Sequence, residues 1–406
     1  MDATRNPFSP GAGTAPPELA GREEIIRNAS VAVGRAVLGR AARSQMLLGL
    51  RGVGKTVLLN RIAELAVEQK CETVFLEAPE DRTLVQMLVP QLRSCLFRLS
   101  RIERAKDLSQ RGLAVLRAFA GVFKIETGGI EFGVKAEVGT ADSGDLEADL
   151  PELLLTAAIA AKQAEKAIVL LVDEVQYLAQ RDLAALIVAI HKVGQKGLPL
   201  VVFGAGLPQL AALAGEAKSY AERLFDYPDV GPLPDEAARD AIRTPLQREG
   251  VQIEDAALAV IVSHTKGYPY FLQEWGSQAW NVAERSTITK RDATKATARA
   301  VEQLDRGFFR VRLDRLTPRE RDYMRAMAGL GPGPHRSGDI ALKLAVDVTA
   351  ASPLRNGLIK KGMIFSPQHG DTAFTVPMFD TFMLRSIPEW APSPTPDSDR
   401  ARRKRR

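Results

Sequence analysis

Only two cysteines, Cys71 and Cys95, and four histidines occur in 406 residues, and none falls in a ligand-like spacing. That argues against a disulfide framework and against a zinc site, so both thiols are expected to act as small apolar residues. No apolar run approaches the roughly 18 residues that a membrane span needs, and no membrane partner is expected. Residues 1–22 are rich in Pro and Gly and lack the basic-then-apolar order of a secretion signal, which makes the cytoplasm the expected location. No internal repeat is evident.

A charge bias is also missing from most of the chain. The formal net charge is +6, but residues 400–406, Arg-Ala-Arg-Arg-Lys-Arg-Arg, hold six of the 55 basic residues. Without them basic and acidic residues are equal in number, at 49 each. A seven-residue basic tail after a Pro-rich stretch is expected to be disordered, and it can attract nucleic acid without reading bases. It serves equally well as a solubilising end with no dedicated role.

What is present is an ordinary globular composition, 45% hydrophobic and 26% charged, in a chain long enough for two or three units. Pro- and Gly-rich stretches at 7–17, 228–234, 331–334 and 391–396 suggest the boundaries. The expected organisation is a flexible segment 1–18, an α/β core 19–234, a helical unit 235–303, a third unit 312–388 and the disordered tail 389–406. Within the core, apolar β-branched runs alternate with helical periodicity, the sign of a parallel sheet with helices on both faces. The strands expected are 44–50, 73–77, 167–172, 200–204 and a short one near 225–230. One insertion, about 122–149, breaks the alternation. Its first part alternates apolar and polar residues on both sides of Gly128-Gly129, a β-hairpin signal.

Residues Gly49, Leu50, Arg51, Gly52, Val53, Gly54, Lys55 and Thr56 form a complete phosphate-binding loop, followed at Val57 by a helical pattern. Glycines let the backbone approach phosphate closely, and the helix N-terminus supplies positive field. Lys55 is expected to reach the terminal phosphate oxygens, and Thr56 to offer a hydroxyl to Mg²⁺. An independent signal comes from 167–174, a buried-strand run ending in Asp173-Glu174. Asp173 is expected to hold the Mg²⁺ hydration shell and Glu174 to activate the attacking water. No Asn-Lys-x-Asp guanine motif is present.

With these two motifs the chain resembles the AAA+ ATPases, specifically the branch of origin-recognition-type, archaeal-type and STAND ATPases. The resemblance covers roughly residues 19–388 and implies ATP with Mg²⁺. Gly21-Arg22-Glu23, about 28 residues before the loop, is similar to the Gly-Arg-Glu box that packs around adenine in this branch. Residues 200–206 take the place of the sensor 1 strand, but Ala205 and Gly206 stand where the family has a polar residue. Slow hydrolysis is therefore expected, or water positioned by another group. Arg223 matches the place of an arginine finger, a reading that competes with a plain helix-dipole role. Gly267-Tyr268-Pro269 resembles the lid motif whose Pro lies against the nucleotide, with Tyr270 in place of the sensor 2 arginine. The clustered aromatics Tyr268, Tyr270, Phe271, Trp275 and Trp280 are expected as lid core.

In the third unit, Thr317 and Glu320 form a capping box, and three helical patterns precede a β-type hairpin at 362–377. This order looks like a winged helix. The resemblance implies a third helix able to enter a DNA major groove, with Arg355, Asn356 and Lys360 as candidate contacts. Two functions follow from different classes. One is an ATP-controlled protein bound to duplex DNA through winged helix and tail; the other is a STAND-like signalling or defence ATPase whose partner is a protein. A nucleotide-binding scaffold with negligible turnover is a third. The resemblance accommodates both a monomer and a homo-oligomer.

Overall fold

The computed structural model describes residues 1–11, 13–79, 81–125 and 132–392. Five parallel strands form the central sheet: β1 (Ser44–Leu48), β2 (Glu72–Glu77), β3 (Ile168–Asp173), β4 (Leu200–Gly206) and β5 (Phe225–Asp226). Their order is β2-β3-β4-β1-β5, so β4 separates the strand before the phosphate loop from the strand carrying Asp173. Every residue of β3 is buried because both faces are covered. Ile168, Leu170 and Val172 face one core, packed by the helices Leu84–Ser100, Lys106–Val122, Leu146–Gln163 and Gln180–Gln195. Val169 and Leu171 face the other, under the helices Glu23–Val37 and Lys55–Glu68. Cys71 and Cys95 sit in these cores, where burial pushes their thiols up to about 11 and about 12.

The expected hairpin lies largely outside the described residues, since 126–131 fall there. Its flanks, 123–125 and 132–134, are not strand. Glu137 instead returns to the helix Lys106–Val122, donating its N–H to the Ala114 carbonyl and pairing with Arg111 at 3.0 Å.

The lid, expected to be helical throughout, consists of the helices Asp235–Arg248, Asp255–Thr265, Pro269–Val282 and Lys290–Gln303 plus a small parallel pair, β6 (Gln252–Ile253) and β7 (Thr287–Ile288). Phe271, Trp275 and Trp280 are in its core. Residues 1–11 lie against it: the N-terminal ammonium donates to the Ala283 carbonyl, Trp280 Nε1 to the Asp2 carbonyl, and Phe8 is 4% exposed. Gly276 makes room for the Phe8 ring, which a Cβ there would meet at 2.7 Å.

From the lid the chain continues through a π-helical turn, Leu304–Phe309, into a short helix, Arg310–Asp314, and the C-terminal unit. That unit runs helix Pro318–Ala328, β8 (His335–Arg336), helix Ser337–Lys343, helix Val348–Lys360, β9 (Ile364–Phe365), β10 (Asp371–Phe374), helix Phe379–Ser386. The capping box at Thr317 and Glu320 is formed. β8 and the last helix were not expected from the sequence; β8 pairs antiparallel with β10, giving the order β8-β10-β9. Lid and C-terminal unit share one hydrophobic core, in which Phe309 stacks on Phe382 at 5.1 Å and meets Phe271 and Phe379 edge-on or tilted.

Candidate nucleotide-binding site

The phosphate loop leaves β1 at Leu48 and enters the helix Lys55–Glu68 through Gly54, whose φ of 92° is left-handed, as is Gly52's at 84°. Gly49 is required for a different reason: a Cβ there would lie 2.2 Å from the Val230 carbonyl oxygen. Lys55 Nζ donates to the carbonyls of Gly49 and Leu50, both at 2.9 Å, and the residue is only 7% exposed. Burial lowers its pKa below that of an ordinary lysine, while Glu174 and Asp173 work against the shift. Thr56 Oγ1 donates to Asp173 Oδ2 at 2.5 Å. Burial raises the Asp173 carboxyl pKa, and the Thr56 hydroxyl opposes this. A hydroxyl beside a buried carboxylate is the hard-oxygen donor set that suits Mg²⁺.

Glu174 follows β3 in the left-handed region, with φ 53° and ψ 39°, which for a non-glycine residue costs about 1–3 kcal/mol. Its N–H donates to Asp173 Oδ1 at 2.8 Å, and its Oε2 accepts from Gln176 Nε2. The other end of Gln176 accepts from the Leu207 N–H at 3.1 Å, just past β4. A Cβ on Gly206 would come within 2.7 Å of Gln176 Oε1. Gln176 thus places a polar side chain beside the end of β4, where Ala205 and Gly206 offer none. It lies outside β4, three residues after Asp173, so no local sequence signal ties it to the end of that strand.

A cleft of about 290 Å³ opens over the loop. Gly52, Val53, Gly54, Lys55, Thr56, Val57 and Glu174 line it on the sheet side, Pro269 and Tyr270 on the lid side, and 9–16 in part from the N-terminal segment. Pro269 opens its helix at the first position, and the Tyr270 N–H donates to the Gly52 carbonyl at 3.1 Å, fastening lid to loop. Gly267 lets the lid approach, since a Cβ there would meet the Leu233 carbonyl at 2.4 Å. Arg22 also lines the cleft, but its guanidinium donates to the carbonyls of Val53 and Gly231 and so braces the loop. Gly21 shapes the turn beside Ala237 without lining the cleft.

Residues 18–203 match a family model described as "AAA ATPase domain", and residues 306–383 match one described as "Domain of unknown function (DUF8462)". No curated protein matches the chain. Among solved structures, the Walker-type ATPase PABY2304 of Pyrococcus abyssi is similar over 91% of this chain and 97% of its own, at 18% identity and a TM-score of 0.58. The ORC2 protein of Aeropyrum pernix in its ADP form is similar over 94% and 98%, at 14% identity and a TM-score of 0.51. The fold is the AAA+ P-loop fold.

In this AAA+ frame the remaining candidates separate. Arg223 does not line the nucleotide cleft; it faces another groove, between Arg35, Arg43, Asp226 and Tyr227 at the start of β1 and β5. Arg355 is engaged in its own unit: Nε donates to Thr372 Oγ1 at 3.0 Å, and Nη2 to Ser366 Oγ and the Asp371 carbonyl. Its expected role as a reader of base edges conflicts with that clamp on the β9-β10 hairpin. Asn356 and Lys360 are exposed on the same helix. The C-terminal unit itself reaches the phosphate loop. The Arg51 N–H donates to the Thr375 carbonyl at 3.1 Å, Arg51 Nη2 donates to the Tyr177 hydroxyl, and a Cβ on Gly362 would strike both side chains. Nothing in the local sequence of 362–375 signals this contact, which depends on the fold bringing distant segments together.

Proposed function

We propose that this chain is an ATP-hydrolysing switch whose nucleotide state is transmitted to a C-terminal winged helix that acts on duplex DNA. The observation that carries the reading is the hydrogen bond from the Arg51 N–H of the phosphate loop to the Thr375 carbonyl of the C-terminal unit. A loop that must reorganise its N–H groups around phosphate cannot do so without altering that contact. Lys55 and the loop N–H groups bind the polyphosphate, while Thr56 and Asp173 are the residues that would hold Mg²⁺. When bound, the ion supplies positive charge to the phosphates and orders the attacking side. Glu174 accepts a proton from water, and Gln176 sets its orientation through the bond to Leu207. The element order helix, β8, helix, helix, β9, β10 supports the winged-helix reading.

A second reading, with a protein as partner, is favoured by the clamp on Arg355 and by Leu342, which is 81% exposed in the helix before the candidate DNA-contacting helix. Mobility shifts on duplex DNA separate the two. The chain should end at Pro392, which removes the basic tail and retains Trp390, whose Nε1 donates to Asp322 at 2.8 Å. A nucleotide-dependent shift at low salt is expected and should be weakened by Lys360→Ala. No shift in any nucleotide state would remove the DNA reading and leave the protein partner.

The groove position of Arg223 suits contact with a second copy, for which the readout is the hydrolysis rate per chain against protein concentration. If Arg223 acts across subunits, the rate rises with concentration in the parent and stays flat in Arg223→Ala. Parallel curves would assign Arg223 to its own helix end.

A further inference from the structure

The nucleotide cleft contains a cation that neither the phosphate loop nor the lid supplies. Arg312 lies in the short helix Arg310–Asp314 that connects lid to C-terminal unit, and it lines the cleft together with Arg51, Lys55, Glu174, Tyr270 and Phe308. Its guanidinium stacks 3.8 Å over the Phe308 ring, and Nη1 donates to the Phe308 carbonyl at 2.7 Å. Those contacts explain its direction but leave its charge unanswered. Among the described residues neither Arg312 nor Arg51 is ion-paired with a carboxylate; Arg312 has the Phe308 carbonyl and ring, Arg51 has the Tyr177 hydroxyl, and Arg51 Nε is buried without a hydrogen-bond partner. Two half-buried guanidiniums without counter-charges in one cleft raise each other's cost, and an anion between them relieves it. Burial, with Arg51 adding to it, pulls Arg312 down to about 10, a direction that also favours a bound anion.

We propose that Arg312, with Arg51 beside it, takes the terminal phosphate of bound ATP and so makes the C-terminal unit sensitive to that phosphate. The proposal rests on reading the cleft as an ATP site. The terminal phosphate is the one selected because it must lie where water activated by Glu174 can attack it. Arg51 is bonded to Tyr177, three residues beyond Glu174, which puts the Arg51–Arg312 pair at that end. Lys55, held here by the carbonyls of Gly49 and Leu50, meets the phosphates from the loop side, and Arg312 meets them from the connector. A route outward is also present. Phe308 stacks on Tyr270 at 4.7 Å, and the Tyr270 N–H is bonded to Gly52. On the far side the Leu313 carbonyl accepts from Arg321 Nε, and Leu313 and Leu316 are buried in the core shared by lid and C-terminal unit. The π-helical turn just before Arg312 is the irregular element in this connector, and such turns recur at functional sites.

The test measures affinities of the full-length chain for a non-hydrolysable ATP analogue and for ADP, both with Mg²⁺, by calorimetry. Arg312→Gln keeps a planar group over Phe308 and removes the charge; Arg312→Lys keeps a charge. The Gln variant is expected to weaken the ATP analogue by at least about tenfold, the scale of one charge-assisted hydrogen bond, and to leave ADP affinity unchanged. The Lys variant should recover part of the loss. Equal weakening of both nucleotides, or weakening of neither, overturns the assignment, and retained ADP binding shows that the variant is folded. A parent chain that binds neither nucleotide would instead remove the site reading on which the proposal stands. As a second readout, the ATP analogue but not ADP should change the rate at which protease cuts the C-terminal unit, a difference that the Gln variant abolishes. Identical protection by both nucleotides in the parent would refute the coupling.

Discussion

Lys55→Ala is expected to reduce affinity for ATP and for ADP alike by about 100-fold or more. The ammonium already faces two loop carbonyls at 2.9 Å and is desolvated by its surroundings. Polyphosphate brought to the loop offers that charge a better partner than neutral carbonyls, because anionic phosphate oxygens add Coulomb attraction to the hydrogen bond. Two such bonds at about 1.5 kcal/mol each give about 3 kcal/mol, or roughly 100-fold in affinity. Truncation also leaves the carbonyls of Gly49 and Leu50 without their donor, so some loss of stability accompanies it. A thermal melt of the variant without nucleotide separates the two effects. A cooperative transition with nucleotide affinity intact would mean that phosphate is held without Lys55 and would overturn the assignment of the loop.

The loop and the β3 carboxylates were legible because each is a contiguous run in which chemistry and local structure coincide. Glycines at 49, 52 and 54 mark backbone that other residues follow only with strain or a clash, and an unbroken apolar run ending in two acids fits a buried strand that reaches the edge of the sheet beside the loop. What escaped depends on long-range packing. Gln176 reads as an unremarkable residue after the acids; only the close approach of Gly206 and the Leu207 N–H gives it a role. Arg312 stands in a stretch of mixed basic and apolar residues, and its place in the cleft follows from the π-helical turn and the shared aromatic core. Arg355 is the converse case: an Arg in a candidate DNA-contacting helix looks free in the sequence, and only the fold shows the hairpin hydrogen-bonded to it.

The same packing is what the proposed coupling of the C-terminal unit to nucleotide rests on. Its core is continuous with that of the lid, so a displacement of one against the sheet would carry the other with it. Together they touch the phosphate loop at two backbone points, Tyr270 to Gly52 and Thr375 to Arg51. Both are single hydrogen bonds, each worth about 0.5–1.5 kcal/mol net, which a bound phosphate can outweigh. The proposed switch draws on this asymmetry between an extensive shared core and two weak latches.

Glu174→Gln tests whether the switch is reset by chemistry. The variant is expected to bind ATP as the parent does and to hydrolyse it about 100- to 10,000-fold more slowly, the usual contribution of a positioned general base. Gln is the informative replacement because its shape matches Glu and its side-chain oxygen can still accept the Gln176 bond. The left-handed backbone and the N–H bond to Asp173 at 2.8 Å do not depend on the carboxylate, so the loop after β3 should hold its form. Loss of turnover with binding kept is then a loss of proton acceptance alone. Single-turnover hydrolysis measured beside ATP affinity gives the split directly. An unchanged rate would place the base elsewhere and leave Glu174 as an orienting residue. A parent rate already at the level of the variant would show that the site binds nucleotide without hydrolysing it.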